Sequence, residues 1–199
     1  MTTTTQTTDP RALYTAATAW MLDVVQGISD DQLDGPTPCA DYTVSQLIGH
    51  VTATLARAES VAQRGDIGDV GTMIDYRDAH DVASYRDRAV TAWADDDALL
   101  DRPVTVPWGD VPGRGALVGY TNETLVHGWD LAVATGQPCE APDPLLAETI
   151  LPAMQRFLVA DQRGGPVPFG PVVEPRPEAG ATERLANWAG RVSEGWVTA

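Results

Sequence analysis

Hydrophobic residues recur at the three- and four-residue spacing of amphipathic helices along most of the chain. This pattern predicts a first helix over 10–28 and a second over 44–64. The second helix begins with a T-x-x-Q capping box, in which Thr43 and Gln46 satisfy backbone N–H groups that the first turn leaves free. A third helix is predicted over 78–99.

The helical pattern returns in the second half of the chain. The most apolar of these helices is predicted over 116–134, and it ends before Gly136, because glycine commonly terminates a helix. Two more helices are predicted over 143–160 and, as a short terminal helix, over 181–190.

Proline and glycine are concentrated in two stretches, 101–115 and 164–180, which are predicted to be extended and not helical. Neither stretch has an alternating pattern long enough to predict a strand. The expected fold class is therefore all-α, an up-down helical bundle over 10–162. Residues 163–199 are expected to add a Pro/Gly-rich C-terminal arm and a short terminal helix to the same domain, and residues 1–9 a disordered tail.

The chain is strongly acidic, with a formal net charge of −15 and no cluster of basic residues. Such a surface repels phosphate groups, so neither nucleic acid nor an anionic membrane is an expected partner. No apolar run approaches the roughly 20 residues of a membrane span, and the Thr-rich N-terminus lacks the features of a signal peptide. A cytoplasmic protein is expected. Its two cysteines, Cys39 and Cys139, are predicted to be reduced.

The helix predicted over 116–134 carries a set of polar residues on an apolar face. At about 100° per residue, Glu123, His127 and Asp130 project from one side of the helix, which they share with Tyr120. A buried carboxylate requires a partner, because an unpaired buried charge is strongly unfavourable. Two interpretations follow from the spacing alone: a histidine held by hydrogen bonds, or a ligand of a divalent metal.

A third metal ligand would have to come from another helix, and His50 is the candidate because it lies beside the apolar stripe of the second helix. His50, Glu123 and His127 would then leave coordination positions open for water or substrate. Cys39 is predicted to lie too far from His50 to be a ligand, since a helix rises about 1.5 Å per residue. The remaining histidine, His80, is predicted to lie at the surface.

Two segments resemble the signatures of a known family. PTPCADYTVSQLIGHV is similar to TPC-x-D-W-T-V-x-x-L-x-x-H, with Tyr42 where tryptophan is commoner, and ETLVHGWDLAVATG is similar to E-x-x-x-H-x-W-D-L-A-x-A-T-G. Both signatures belong to actinobacterial relatives of mycothiol-dependent maleylpyruvate isomerase, in the branch of metal-binding proteins. The resemblance implies a DinB-like four-helix bundle with a divalent metal, most often zinc. Its ligand positions match His50, Glu123 and His127.

The function that the resemblance implies is thiol chemistry. Mycothiol would be the small-molecule partner, and as a metal-bound thiolate it would attack a small electrophilic substrate in an S-transfer or an isomerisation. From the spacing, Asp130 is expected either to orient a ligand imidazole or to form a helix hydrogen bond or a salt bridge, and Tyr120 is expected to line the cavity. Two alternatives stay open, a non-catalytic metal-binding bundle and a hydrolase that uses metal-bound water. A homodimer is left open as the assembly.

Overall fold

The structure is a computed structural model, and it describes residues 9–94, 96–159, 163 and 169–197. The predicted N-terminal tail, apart from Asp9, therefore lies outside the described residues. The first part of the predicted C-terminal arm also lies largely outside them.

The first two long helices begin at the caps that the sequence predicts. Helix α1 spans Pro10–Gln26, and the Asp9 side chain accepts a hydrogen bond from the backbone of its first turn. Helix α2 spans Val44–Arg64, with both hydrogen bonds of the Thr43 capping box present. It ends at Gly65, whose φ of 92° is a left-handed conformation that glycine adopts without strain. The connection between α1 and α2 contains one short 3-10 helix, Asp30–Gln32.

The third predicted helix is interrupted in the structure. Helix α3 spans Ala79–Ala94 and a single-turn helix α4 spans Ala98–Asp101, so the prediction of one continuous helix over 78–99 is wrong at its C-terminal end. The acidic residues between the two helices favour turns over helix, because their short side chains compete for backbone hydrogen bonds; Asp96, for example, accepts from the backbone of Ala98.

The stretch predicted to be extended forms a β-hairpin. Strand β1, Pro103–Val106, pairs antiparallel with β2, Gly109–Pro112. The sequence pattern did not predict these strands because each has only four residues, too few for an alternating pattern to stand out. The turn requires Gly109, whose φ is 123°.

Three helices complete the described part of the chain. Helix α5 spans Gly113–Ala134, helix α6 spans Leu145–Phe157 and helix α7 spans Ala181–Trp188. Helix α5 begins three residues earlier than predicted, directly after the hairpin, where Gly113 donates a backbone hydrogen bond of 2.9 Å to Arg102. The carbonyl of Leu99 lies so close to Gly113 that no side chain would fit there.

Helix α5 is the centre of the fold. It packs against α1 and α2, while α3 packs against the same two helices from the other side, so these four form a bundle. Helices α6 and α7 pack against each other and against α5. The largest fully buried side chains are Trp93, Trp129, Tyr14, Tyr120, Met21, Leu47, Ile48 and Leu55. The predicted all-α fold class is confirmed, with the small hairpin as the one addition in the described residues.

Helix α5 is buried on nearly every side, including all residues from Thr124 to Ala132. Any polar side chain along that stretch must therefore find its partner inside the protein. Among the described residues, none of the helices has both the length and the hydropathy needed to cross a bilayer.

Candidate metal centre

Two helices bring the three predicted ligands together. His50 projects from α2, and Glu123 and His127 project from successive turns of α5. Nε2 of His127 lies 3.5 Å from Oε2 of Glu123, and Nε2 of His50 lies 3.9 Å from the same oxygen. The two imidazole rings meet edge to face, with their centroids 5.1 Å apart.

The second nitrogen of each ring is held from outside the centre. Nδ1 of His50 lies 3.0 Å from the backbone carbonyl of Thr72, and Nδ1 of His127 lies 3.0 Å from Oδ2 of Asp130. Because a carbonyl and a carboxylate both accept, each Nδ1 carries the hydrogen and donates it. In the neutral rings Nε2 is then the nitrogen with the free lone pair, and in both rings it faces Glu123.

The donor set fits a divalent ion of the zinc type. At 3.5 and 3.9 Å, the nitrogens lie farther from the Glu123 oxygen than a good hydrogen bond of about 2.7 to 3.2 Å. Two atoms that each lie about 2.1 Å from a tetrahedral ion are about 3.4 Å apart. The spacing around Glu123 is thus close to that of ligands around one ion. Imidazole nitrogen and carboxylate oxygen are both common zinc ligands.

The pKa values of the two partners on α5 are strongly perturbed. For His127, burial alone would lower the pKa, but the adjacent carboxylates of Asp130 and Glu123 outweigh it and raise the pKa to about 9. For Glu123, burial alone would raise the pKa, but the adjacent imidazoles of His127 and His50 outweigh it and hold the pKa well below its usual range. The site therefore stabilises positive charge between its carboxylates, which is what a cation centre requires.

Asp130 lies beside the imidazole of His127, and it also forms an ion pair whose partner the sequence did not predict. Its side chain is fully buried, and both of its oxygens accept hydrogen bonds from Nε of Arg191, at 2.9 and 3.0 Å. Arg191 lies 61 residues later in the chain, beyond α7, so no local spacing relates the two. The only signal in the sequence was the need of an inward-facing aspartate for a cation.

Cys39 lies closer to His127 than the helix-rise argument implied, although it is not grouped with His50, Glu123 and His127. The sulfur of Cys39 and ligand atoms of His127 and Asp130 all lie within 4.8 Å of one another. The prediction took the helix rise as the distance, but the loop before α2 folds back along the helix, so that the Tyr42 ring stacks on His50 at 5.3 Å. The Cys39 thiol does not join the group formed by His50, Glu123 and His127, and burial raises its pKa to about 11.

Tyr120 lies one turn before Glu123 on α5, and it is buried. Its hydroxyl has no hydrogen-bond partner among the residues that the structure describes. Its ring packs edge to face against Trp108 at the hairpin turn, with centroids 5.2 Å apart. Trp108 is half exposed, and the hairpin thus places an aromatic side chain beside the predicted cavity residue. The role of Tyr120 as a cavity residue stays a prediction.

A second group of acidic residues surrounds the remaining histidine. His80 and its neighbours Asp78 and Asp81 bring potential ligand atoms within 4.8 Å of one another at the start of α3. The histidine is exposed, as predicted. Groups of exposed carboxylates are common without an ion.

A helical bundle in which two neighbouring helices present two histidines and a glutamate defines a class of candidate metal-centre proteins. Within that class, the chain belongs to the family of the mycothiol maleylpyruvate isomerase N-terminal domain, whose model matches residues 14–132. That region contains His50, Glu123, His127 and Asp130, whereas Arg191 lies outside it.

Full-length relatives and a solved structure agree with the family. The chain is 30% identical over 187 residues to uncharacterized proteins from two strains of Mycobacterium tuberculosis, an alignment that covers 92% of this chain and 98% of each relative. It also resembles the crystal structure of the mycothiol-dependent maleylpyruvate isomerase, with a TM-score of 0.51 and 18% identity over 76% of this chain and 67% of that one. The predicted family resemblance is confirmed, and at this identity the structural likeness supports the fold.

Proposed function

We propose that this protein is an enzyme of thiol chemistry, which binds one divalent metal through His50, Glu123 and His127 and uses mycothiol to transfer sulfur to, or isomerise, a small electrophilic substrate. The observation that carries the proposal is the convergence of both free imidazole nitrogens on one carboxylate oxygen, each ring being fixed by an acceptor on its far side. Membership of a mycothiol-dependent family supports the choice of thiol.

The three ligand residues would supply three of the four positions that zinc prefers, and a thiol would take the fourth. When bound, such an ion supplies a Lewis acid that lowers the pKa of a coordinated thiol, so that the thiol is deprotonated at neutral pH. Cys39 is not proposed for this position, because its sulfur groups with His127 and Asp130 and not with His50 and Glu123.

Groups around the three ligands would orient the imidazole rings, exclude water and contact the substrate. The Thr72 carbonyl and the Asp130 carboxylate each hold a proton on Nδ1 of a ligand ring and thereby keep Nε2 free to bind. The Tyr42 ring covers one face of His50 and restricts water there. Trp108, which packs on the buried ring of Tyr120 one turn before Glu123, would offer apolar surface to the substrate.

The first test is metal content. Purified protein should contain about one zinc-type ion per chain, and His127→Ala should lose it. The matched control is His80→Ala, which removes the exposed histidine outside the centre. Full metal occupancy in His127→Ala, or equal loss in His80→Ala, would show that the ligands are assigned wrongly.

The second test concerns the thiol. Mycothiol added to the cobalt-substituted protein should produce a sulfur-to-metal charge-transfer band, and S-methyl mycothiol should not. Because a thiol loses its proton on binding, calorimetry in two buffers of different ionisation enthalpy should report the release of about one proton. If the metal-loaded protein does not bind mycothiol at millimolar concentration, the protein would instead be a non-catalytic metal-binding bundle or a hydrolase.

A further inference from the structure

We infer that Arg191 is a positioning residue of the metal centre, which holds the Asp130 carboxylate so that this carboxylate can fix the imidazole of His127. The inference deepens the proposed function and rests on it, because it concerns the same site. It adds to that site a residue from the C-terminal part of the chain.

The contacts form a continuous path from the arginine to the ligand. Nε of Arg191 donates to Oδ1 and Oδ2 of Asp130 at 2.9 and 3.0 Å. Oδ2 also accepts from Nδ1 of His127 at 3.0 Å. The exposed fractions of the three side chains are 12%, 0% and 8%, so water does not substitute for any of these bonds.

The charges explain why the arginine is needed. Asp130 cannot be left unpaired, because a fully buried carboxylate without a cation is strongly destabilising. His127 would be neutral as a metal ligand and could not provide that charge. Among the described residues, Arg191 is the one basic side chain other than His127 in contact with Asp130. Glu123 would then be neutralised by the ion and Asp130 by Arg191.

The backbone around Arg191 directs its side chain inward. The preceding residue, Gly190, has a φ of 92° and packs against the backbone of Gly170, where a side chain would not fit. The Arg191 N–H donates to the carbonyl of Ala186 at 2.9 Å, and the buried Asn187 side chain donates to the Arg191 carbonyl at 2.9 Å. The turn after α7 is therefore fixed on both sides of the arginine.

The test compares three variants by zinc affinity, measured by competition with a chromophoric chelator. Arg191→Met keeps most of the apolar stem and removes the charge, and it should bind zinc about 10- to 100-fold more weakly, as expected for loss of an outer partner of a ligand histidine. Arg191→Lys should recover part of the affinity, since a lysine brings the charge without the planar guanidinium. Arg184→Met is the control, because Arg184 is an exposed arginine of α7 whose hydrogen bonds, among the described residues, go to the backbone carbonyls of Ala179 and Pro177.

A spectroscopic measurement distinguishes a role of Arg191 in positioning His127 from a role only in the stability of the fold. The ligand-field bands of the cobalt-substituted protein should shift in Arg191→Met and not in Arg184→Met, even when both lose similar thermal stability. Wild-type zinc affinity and unchanged cobalt bands in Arg191→Met would overturn the inference. If Arg191→Met does not fold, Arg191→Lys decides, because a wild-type affinity there would contradict the need for the guanidinium.

The failure of the proposed function would be seen separately. If the wild-type protein binds neither zinc nor cobalt, the proposed metal centre is wrong, and the role of Arg191 is judged on the metal-free protein. The ¹⁵N signal of Nδ1 of His127 should then move in Arg191→Met and stay in place in Arg184→Met. An unchanged signal would overturn the positioning role as well.

Discussion

The two histidines of the candidate centre are each fixed by one ring nitrogen, so that the other nitrogen faces Glu123. The acceptors differ in kind: a backbone carbonyl of the loop after α2 holds His50, and a buried carboxylate of α5 holds His127. Both rings are therefore oriented before any ligand arrives. Such preorganisation avoids the entropic cost of ordering the ligands during binding.

A glycine next to His127 gives a prediction about packing. A methyl group at Gly128 would come within 2.6 Å of the Trp20 ring, whereas one at Gly115, near the start of the same helix, would lie 3.4 Å from Val111. Helix propensity favours alanine over glycine by up to about 1 kcal/mol. Gly115→Ala should therefore be neutral or stabilising, while overpacking in Gly128→Ala should cost about 1 to 3 kcal/mol.

Urea unfolding of both variants in the presence of chelator measures this difference without a contribution from metal. Because the two substitutions are chemically identical and lie in one helix, the contrast isolates the contact with Trp20. A Gly128→Ala variant as stable as Gly115→Ala would mean that Trp20 moves aside freely.

At the scale of elements, the C-terminal helix is held at its first turn by acidic residues. Both carboxylate oxygens of Glu140 accept from the backbone of α7, at Thr182 and Glu183. The Glu183 side chain, itself 1% exposed, accepts from Arg176 at 2.7 and 3.0 Å. Negative charge at a helix N-terminus is favourable, because the free N–H groups there carry partial positive charge. These contacts hold α7 in the place from which Arg191 reaches the site.

Acid should weaken this arrangement. Burial opposes ionisation of Glu183, but the hydrogen bonds from Arg176 outweigh it and hold the pKa of Glu183 below its usual value. A carboxyl whose pKa is lower in the folded state stabilises the protein above about pH 4.5, and this contribution is lost as the pH falls through the lower value. Glu183→Gln should therefore lose stability at pH 7, and its deficit relative to wild type should shrink toward pH 3.

The comparison requires thermal unfolding of wild type and variant at several pH values. Glu178→Gln is the control, because Glu178 is an exposed glutamate just before the same helix. A deficit of Glu183→Gln that stays constant from pH 7 to pH 3 would show that the ionised carboxylate does not contribute.

At this scale, the sequence predicted correctly the features that depend on residues close together in the chain. The capping box of Thr43 and the helical spacing of Glu123 and His127 depend on neighbours within four residues, and these predictions match the structure. The hairpin was not predicted, because its pairing depends on a turn with positive φ and on strands of four residues. The contact of Arg191 with Asp130 spans 61 residues, and no periodic pattern encodes it.

For the whole molecule, a metal between α2 and α5 would join two helices that are far apart in sequence. An ion that binds only the folded state adds about 4.1 kcal/mol of stability at a free concentration 1,000 times its Kd. In a protein of this size that corresponds to a rise in Tm of about 8 to 16 °C. Chelation should lower the Tm of wild type by this order. His127→Ala should show no response to chelator, and a wild-type Tm that is insensitive to zinc and to chelator would contradict the proposed centre.

The overall charge leads to a prediction about partners. With a net charge of −15, the surface should repel a DNA duplex, and binding should be weaker than the roughly 10⁻⁴ to 10⁻⁶ M typical of non-specific DNA-binding proteins at physiological salt. Fluorescence anisotropy with a labelled random duplex measures this. A micromolar Kd would reveal a local basic surface that outweighs the total charge.

Because Arg191 follows Asp130 by 61 residues, it is synthesised later than the rest of the candidate site. A ribosome that adds about 5 to 20 residues per second needs about 3 to 12 s to synthesise the 61 residues between Asp130 and Arg191. During most of that interval the residues of α2 and α5 that carry the candidate ligands have been synthesised, while the aspartate behind His127 still lacks its arginine. An ion captured by the nascent chain would therefore meet a looser centre than the finished protein offers, and tight binding would begin only when the segment after α7 docks.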